Sequence, residues 1–370
     1  MTLESFGNST IRPSTFLLSG LPGLEHIHIW ISIPLFSMYL VSILGNCMIL
    51  FIIKTESSLH QPMYFFLSML ALTDLGLSLC TLPTVLGIFL FGAREIDHDA
   101  CFAQLFFIHC LSFLESSVLL SMAFDRLIAI CRPLRYTSIL TNRVISRIGL
   151  GSLGRSVALI FPLPFMLKRF PYCGSQVLTH SYCLHQEVMK LACADITANS
   201  IYGMFVIIST VGVDSMLILF SYVLILHTVL AIASQAERLK ALNTCVSHIC
   251  AVLLFYTPMI GLSVIHRFGK QAPHLIQVVM GFVYLLVPPL MNPIVYSVKT
   301  KQIRDRVLIM FSSESSLEMA DKVSTDIQIS AEYCFMFRNC MQLDLKGSFS
   351  SPASVTYVVS TSWNKMLLRV

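Results

Sequence analysis

Charge is scarce in this chain. Only 12% of its 370 residues are Asp, Glu, Lys or Arg, about half the share of an ordinary soluble domain. With 55% hydrophobic residues, the apolar surface exceeds what a water-facing shell can cover, so it has to face lipid. The net charge of +5 is scattered around the apolar runs and forms no basic groove, which sets nucleic-acid binding aside. No nucleophile–base set, phosphate-binding glycine loop or metalloprotease spacing occurs, so an enzyme reading has no support. The first 20 residues are polar, carry Arg12 late and lack an apolar core, so they are not a cleavable signal peptide. The first apolar run is expected to serve as its own uncleaved targeting signal. No apolar run repeats another, and with that the inverted-repeat signature of a transporter is missing.

The runs themselves are plentiful. A membrane-spanning helix needs about 20 mostly apolar residues, and seven stretches qualify: 27–53, 62–90, 101–124, 148–167, 197–233, 241–265 and 272–298. An odd number of spans places the termini on opposite sides. Lys54, Arg132, Arg135, Arg143, Arg147, Arg238, Lys240 and four further basic residues between 299 and 306 collect on one face. The positive-inside rule makes that face cytoplasmic. The expected topology is a plasma-membrane protein with its N-terminus extracellular and its C-terminus cytoplasmic. Asn8, in the acceptor triplet Asn8-Ser9-Thr10, then falls outside as a glycosylation site.

Of the 12 cysteines, Cys47, Cys80, Cys110, Cys131, Cys245 and Cys250 lie in or at the ends of spans and read as small apolar packing residues. Cys101 opens the third span, and Cys173, Cys183 and Cys193 occupy the long second outer loop. Four cysteines allow three pairings, and the residues alone do not choose among them. No ligand-type histidine spacing accompanies them, which makes a zinc site the weaker reading.

Three groups of residues carry the functional argument. Asp125-Arg126 ends the third span. A positive-inside anchor accounts for Arg126 but not for Asp125, whereas a switch, in which Arg126 pairs with Asp125 at rest and is released later, accounts for both. Asp74 and Glu115 sit in mid-span, where a carboxylate costs several kcal/mol unless protonated, paired or bound to a cation. The two suggest a shared cation, Na⁺ foremost, against two protonated acids bonded separately. Asp214, in the fifth span, has no evident partner, and Arg155 in the fourth has no assigned function. Asn292-Pro293-Ile294-Val295-Tyr296 ends the seventh span: Pro293 loosens the helix, Asn292 can satisfy the groups it frees, and Tyr296 can swing inward. Pro258 offers a similar hinge in the sixth. Near the outer end, His109, Gln186, Ser263 and Arg267 are polar groups in or beside spans. Arg267 either grips a carboxylate through a two-pronged hydrogen bond or snorkels at the lipid surface.

Several segments together resemble one family. They are Gly45-Asn46, Leu59-His60-Gln61-Pro62-Met63-Tyr64-Phe65-Phe66-Leu67, the stretch Met122-Ala123-Phe124-Asp125-Arg126 continuing through Ala129-Ile130-Cys131, Lys240-Ala241-Leu242-Asn243-Thr244-Cys245-Val246-Ser247-His248, and Pro288-Pro289-Leu290-Met291-Asn292-Pro293-Ile294-Val295-Tyr296. The chain resembles an olfactory receptor, a rhodopsin-like G-protein-coupled receptor, from about residue 16 to 311. His28-Ile29-Trp30-Ile31-Ser32-Ile33-Pro34 and Arg169-Phe170-Pro171-Tyr172-Cys173 point to the fish-like class I, close to family 51.

The resemblance implies an all-α seven-helix bundle. Residues 1–26 would be an extracellular tail, 27–298 the receptor domain, 299–311 a short amphipathic helix and 312–370 an atypical cytoplasmic tail whose composition suits disorder. It implies disulfides Cys101–Cys183 and Cys173–Cys193, a Na⁺-type site at Asp74 and Glu115 with no other cofactor required, and a small odorant held by His109, Gln186, Ser263 and Arg267. By the same resemblance that odorant is a short carboxylic acid; its alkyl part is expected to meet apolar residues of the fifth span such as Phe205, Val206 and Ile207. The implied partner is the olfactory stimulatory G protein, raising cyclic AMP. Two departures stand out: Leu127 follows Arg126 where the family usually has an aromatic residue, and the tail runs on past residue 311. The rival readings are an ion channel or transporter, with the buried acids lining a path, and a receptor-like product that does not signal. Asp125-Arg126 together with the Asn292–Tyr296 motif argues against the first.

Overall fold

The computed structural model describes residues 15–21, 23–268 and 273–311, without the side chains of Thr244, Arg267, Phe268, His274 and Phe311. Asn8 and the tail beyond residue 311 therefore lie outside the described residues. Within them are seven helices long and apolar enough to cross a membrane: Glu25–Thr55, Pro62–Phe91, His98–Cys131, Asn142–Lys168, Thr197–Leu230, Gln235–His266 and Leu275–Lys299, referred to as spans one to seven. A helix at Lys301–Phe311 follows, tied back to the bundle by Arg306–Glu56 (2.6 Å) and by a Tyr64–Gln302 hydrogen bond.

Burial separates the spans into an axis and a rim. The best apolar window is 83% buried in span two and 72% in span three, but 33% in spans one, four and five. Large apolar side chains on the rim, Trp30, Ile201 and Phe220 among them, point outward. In water such a surface would drive aggregation; against lipid chains it has no comparable cost.

Local chemistry sets the helix ends. Pro62 starts span two, where its missing N–H would be unbonded anyway. Gly92 ends it in the left-handed region (φ +65°), donating to the Ile88 carbonyl while Ala93 donates to Gly87. Asp97 caps span three by accepting from the Asp99 amide at 2.9 Å. Span four breaks its regular course at Phe161, just before Pro162. Span five, expected as one apolar run at 197–233, is α-helical at Thr197–Ile207, widens into a π-turn at Ile208–Gly212 and resumes at Val213–Leu230.

Span three runs to Cys131, past the expected end near residue 124, so Asp125 and Arg126 are fully helical. The segment up to residue 26, expected as a plain tail, contains a strand. Strand β1 (Thr15–Leu18) pairs antiparallel with β2 (Glu95–Asp97) and parallel with β3 (Val177–Leu178), placing β1 in the middle of a three-stranded sheet. Phe16, fully buried, anchors it by stacking on His98 and meeting Tyr172 edge-on.

Candidate functional site

Below this sheet the second loop enters the bundle. Residues 180 to 184 are all buried. Cys183 is bonded to Cys101 at the start of span three, and Cys173 to Cys193 within the loop. The six cysteines expected in spans are unbridged. Gln104 docks the loop further: its side-chain oxygen accepts from the Cys183 amide (2.9 Å) while its nitrogen donates to Cys80 and Thr84 of span two. Span seven makes room with Gly281, where a Cβ would stand 2.6 Å from the His180 ring and 2.7 Å from the Tyr182 hydroxyl.

Glu187, on the loop helix His185–Lys190, fastens the loop at its base. Burial alone would raise this carboxyl, but the charge of His180 and hydrogen bonds from Lys190 and Thr179 hold it down at about 2. It is therefore a carboxylate.

Beneath the loop lies a cavity of about 80 Å³. His109 (span three), Gln186 (loop) and Ser263 (span six) all line it, so three of the four residues expected to hold a ligand converge. The Arg267 side chain lies outside the described residues, although its neighbour His266 lines the cavity. Phe113, Val206, Ile207 and Leu262 supply apolar wall. Phe205, expected beside Val206 and Ile207, is instead 55% exposed on the rim, because neighbouring helical residues point about 100° apart. His185, not expected in the site, donates its amide to His109 Nε2 at 3.3 Å and contacts Asn199 through its own ring.

At the centre, Asn292 Nδ2 donates to Asp74 Oδ2 at 3.0 Å and to Glu115 Oε1 at 3.4 Å. The two acids thus meet through span seven. Asp74 Oδ1 and Asn292 Oδ1 are buried without a hydrogen-bond partner, a set of hard oxygen atoms of the kind that suits a small cation. Asn292 does not satisfy the backbone freed by Pro293, as its position suggested. The carbonyl of Pro289, which would have accepted from residue 293, instead receives Asn46 Nδ2 at 2.9 Å. Gly45 admits Pro293 alongside: a Cβ there would lie 2.9 Å from its ring. Gly45-Asn46 thus complements the proline of span seven.

At the basic end, Arg126 Nη2 lies 2.8 Å from Asp125 Oδ2, the pair expected of a resting switch. Tyr136 adds a donor to Asp125 Oδ1 at 2.6 Å. Burial, reinforced by the Asp125 charge, pushes the Tyr136 phenol above its ordinary range, so it keeps its proton. Leu127 packs against a cluster of Ile225, Val229 and Cys245. Tyr296 is buried, its hydroxyl 3.9 Å from Met122 Sδ. His248 bridges three spans, with one ring nitrogen 2.7 Å from the Tyr222 hydroxyl and the other 2.9 Å from the Leu119 carbonyl.

A second intramembrane ion pair resolves the isolated Asp214. Arg155 Nη1 donates to Asp214 Oδ1 at 2.9 Å and Nη2 to Oδ2 at 2.5 Å. Ser116 donates to the same carboxylate and joins Tyr256 at 2.8 Å, so the network spans helices three to six.

Comparison with known proteins gives this arrangement its family. The family model described as "Olfactory receptor" matches residues 35–314. This chain belongs to the olfactory receptor family. Human olfactory receptor 51G2 is 84% identical over 312 residues, covering 84% of this chain and 99% of that relative. Human olfactory receptor 51G1 is 63% identical over 310 residues (84% of this chain, 97% of the relative), and mouse olfactory receptor 51E2 is 56% identical over 298 (80% and 93%). The chain is thus a family 51 olfactory receptor: a multi-pass plasma-membrane G-protein-coupled receptor for odorants, and not an enzyme.

Proposed function

We propose that the cavity beneath the second loop takes a small carboxylic acid, and that its binding activates an olfactory stimulatory G protein and raises cyclic AMP. The observation that carries this reading is the convergence of His109, Gln186 and Ser263 on one cavity whose lining also includes apolar residues such as Phe113, Val206, Ile207 and Leu262. The polar groups suit a carboxylate, and Val206 and Ile207 suit an alkyl chain. Arg267, one residue past the cavity-lining His266, is placed by sequence to add a two-pronged charge-assisted contact. The disulfide end is extracellular and the basic end cytoplasmic, following the positive-inside rule.

Activation in this reading is a change of helix packing. A ligand shifts the balance between two states only by its differential affinity for them. Contact with Ser263 and Arg267 draws on the outer end of span six, which pivots near Pro258, where the helix lacks a backbone donor. The inner end then leaves span three, parting His248 from the Leu119 carbonyl and freeing Arg126 from Asp125. Asp74, Glu115 and Asn292 would hold a Na⁺ ion, whose charge would offset the two acids.

The test is cyclic AMP accumulation in cells expressing the chain with the stimulatory G protein, exposed to straight-chain carboxylic acids, with Arg267→Ala alongside and surface expression monitored. Acid responses that disappear in a surface-expressed Arg267→Ala variant are expected. Equal potency of the corresponding aldehydes or esters, or silence from well-expressed wild type, would overturn the acid reading.

A further inference from the structure

We propose that His180, Glu187 and His266 form a binding site for a divalent transition-metal ion of the zinc class, clamping the second loop to the end of span six. Each residue offers one ligand atom, and all three atoms lie within 4.8 Å of one another. His266 Nε2 stands 3.3 Å from Glu187 Oε1. That is about the edge of a tetrahedron whose metal–ligand bonds are roughly 2.0–2.1 Å long. One edge of the coordination figure is therefore already at its final length.

The chemistry of the set favours zinc over hard cations. Two imidazoles with one carboxylate is a recurrent zinc combination, and it leaves a fourth position for water or an exogenous ligand. Calcium and magnesium prefer all-oxygen shells. The site is largely shielded from solvent: the side chains of Glu187 and His266 are each 3% exposed, and His180 is 1% exposed. Its support is also present. The Thr179 hydroxyl contacts His180 Nδ1 at 2.9 Å and donates to Glu187 Oε2, so one group orients two of the ligands.

Lys190 Nζ lies 2.6 Å from Glu187 Oε1, on a side chain 45% exposed. Its flexible stem lets the ammonium move into solvent when a dication takes over the carboxylate. The cluster joins distant parts of the chain. His180 is wedged against Gly281 of span seven, Glu187 lies on the loop helix, and His266 closes span six and lines the cavity. A bound ion would restrain the outer end of span six. The inference is independent of the carboxylic acid reading, because the metal alone is the probe.

Zinc chloride titrated into the purified full-length receptor, followed by calorimetry, should reveal one saturable site. Cobalt in its place should give the visible absorption of a tetrahedral centre. His180→Gln and His266→Gln should each weaken zinc binding by at least the roughly tenfold that loss of a mere supporting group costs. His227→Gln, exposed near the far end of span five, should leave it unchanged. If either Gln variant fails to fold, His266→Cys provides the decision: it should bind cobalt with an added thiolate charge-transfer band. Absence of saturable zinc binding in wild type, zinc binding unaltered in both Gln variants, or a His266→Cys protein whose cobalt spectrum lacks that band would each overturn the proposal.

Discussion

Asp125 is held by two donors, and only one was evident beforehand. Arg126 follows it in sequence, whereas Tyr136 reaches it by folding back from beyond the end of span three. A hydrogen bond to a charged group contributes about 1.5–3 kcal/mol, and each 1.4 kcal/mol or so is tenfold in an equilibrium. Tyr136→Phe should therefore raise ligand-free cyclic AMP severalfold at equal surface expression; an unchanged or lower basal level would count against a restraining role. Asp214 illustrates the same limit of sequence reading. Its cost in the membrane was plain, but its partner sits 59 residues away on another helix. Asp214→Ala leaves Arg155 without its counter-charge, with the Ser117 hydroxyl still accepting from it, a loss on the order of 3 kcal/mol, and surface staining should fall sharply. Replacing both partners, Arg155→Met with Asp214→Leu, should restore much of it. A double variant as poor as the single one would show that the pair itself is needed.

At the scale of elements, span five departs furthest from its expected form. The turn at Ile208–Gly212 absorbs one extra residue, and it changes the facing of everything beyond it relative to Val206. In an uninterrupted α-helix Asp214 would point about 100° away from its present direction. Removing Ser209 should convert the turn to regular helix while keeping both halves in register, whereas removing Leu219 should rotate Tyr222 and Ile225 off their partners. Surface expression should accordingly survive the first deletion better than the second, and the reverse order would exclude a register-setting turn. Span seven shows the complementary case: its proline-rich motif was legible, but the group that satisfies the carbonyl freed by Pro293, Asn46, comes from span one.

At the scale of the whole molecule, the two disulfides close loops of very different size, 82 and 20 residues apart in sequence. Loop-closure entropy assigns them roughly 4–5 and 3 kcal/mol. The larger one also pins the second loop over the cavity. Cys101→Ser should lower surface expression and ligand response more than Cys173→Ser, measured by antibody staining and cyclic AMP in parallel. Equal effects would mean that the loop holds its place through Gln104 and the β1 strand without the Cys101 link.

Seven spans, the mid-membrane acids, the Asp125-Arg126 pair and the family itself were determined by sequence alone. The reason is physical: hydrocarbon offers the backbone no hydrogen-bonding partner, so a run of about 20 apolar residues must be helical, and a charge within it stands out against its cost. Tertiary structure alone decided which polar atoms meet. The Arg155–Asp214 pair, the three-stranded sheet and the His180–Glu187–His266 cluster each join distant segments. Their contacts depend on how each helix is rotated, on a π-turn that resets one register, and on a buried loop whose path its own residues do not specify.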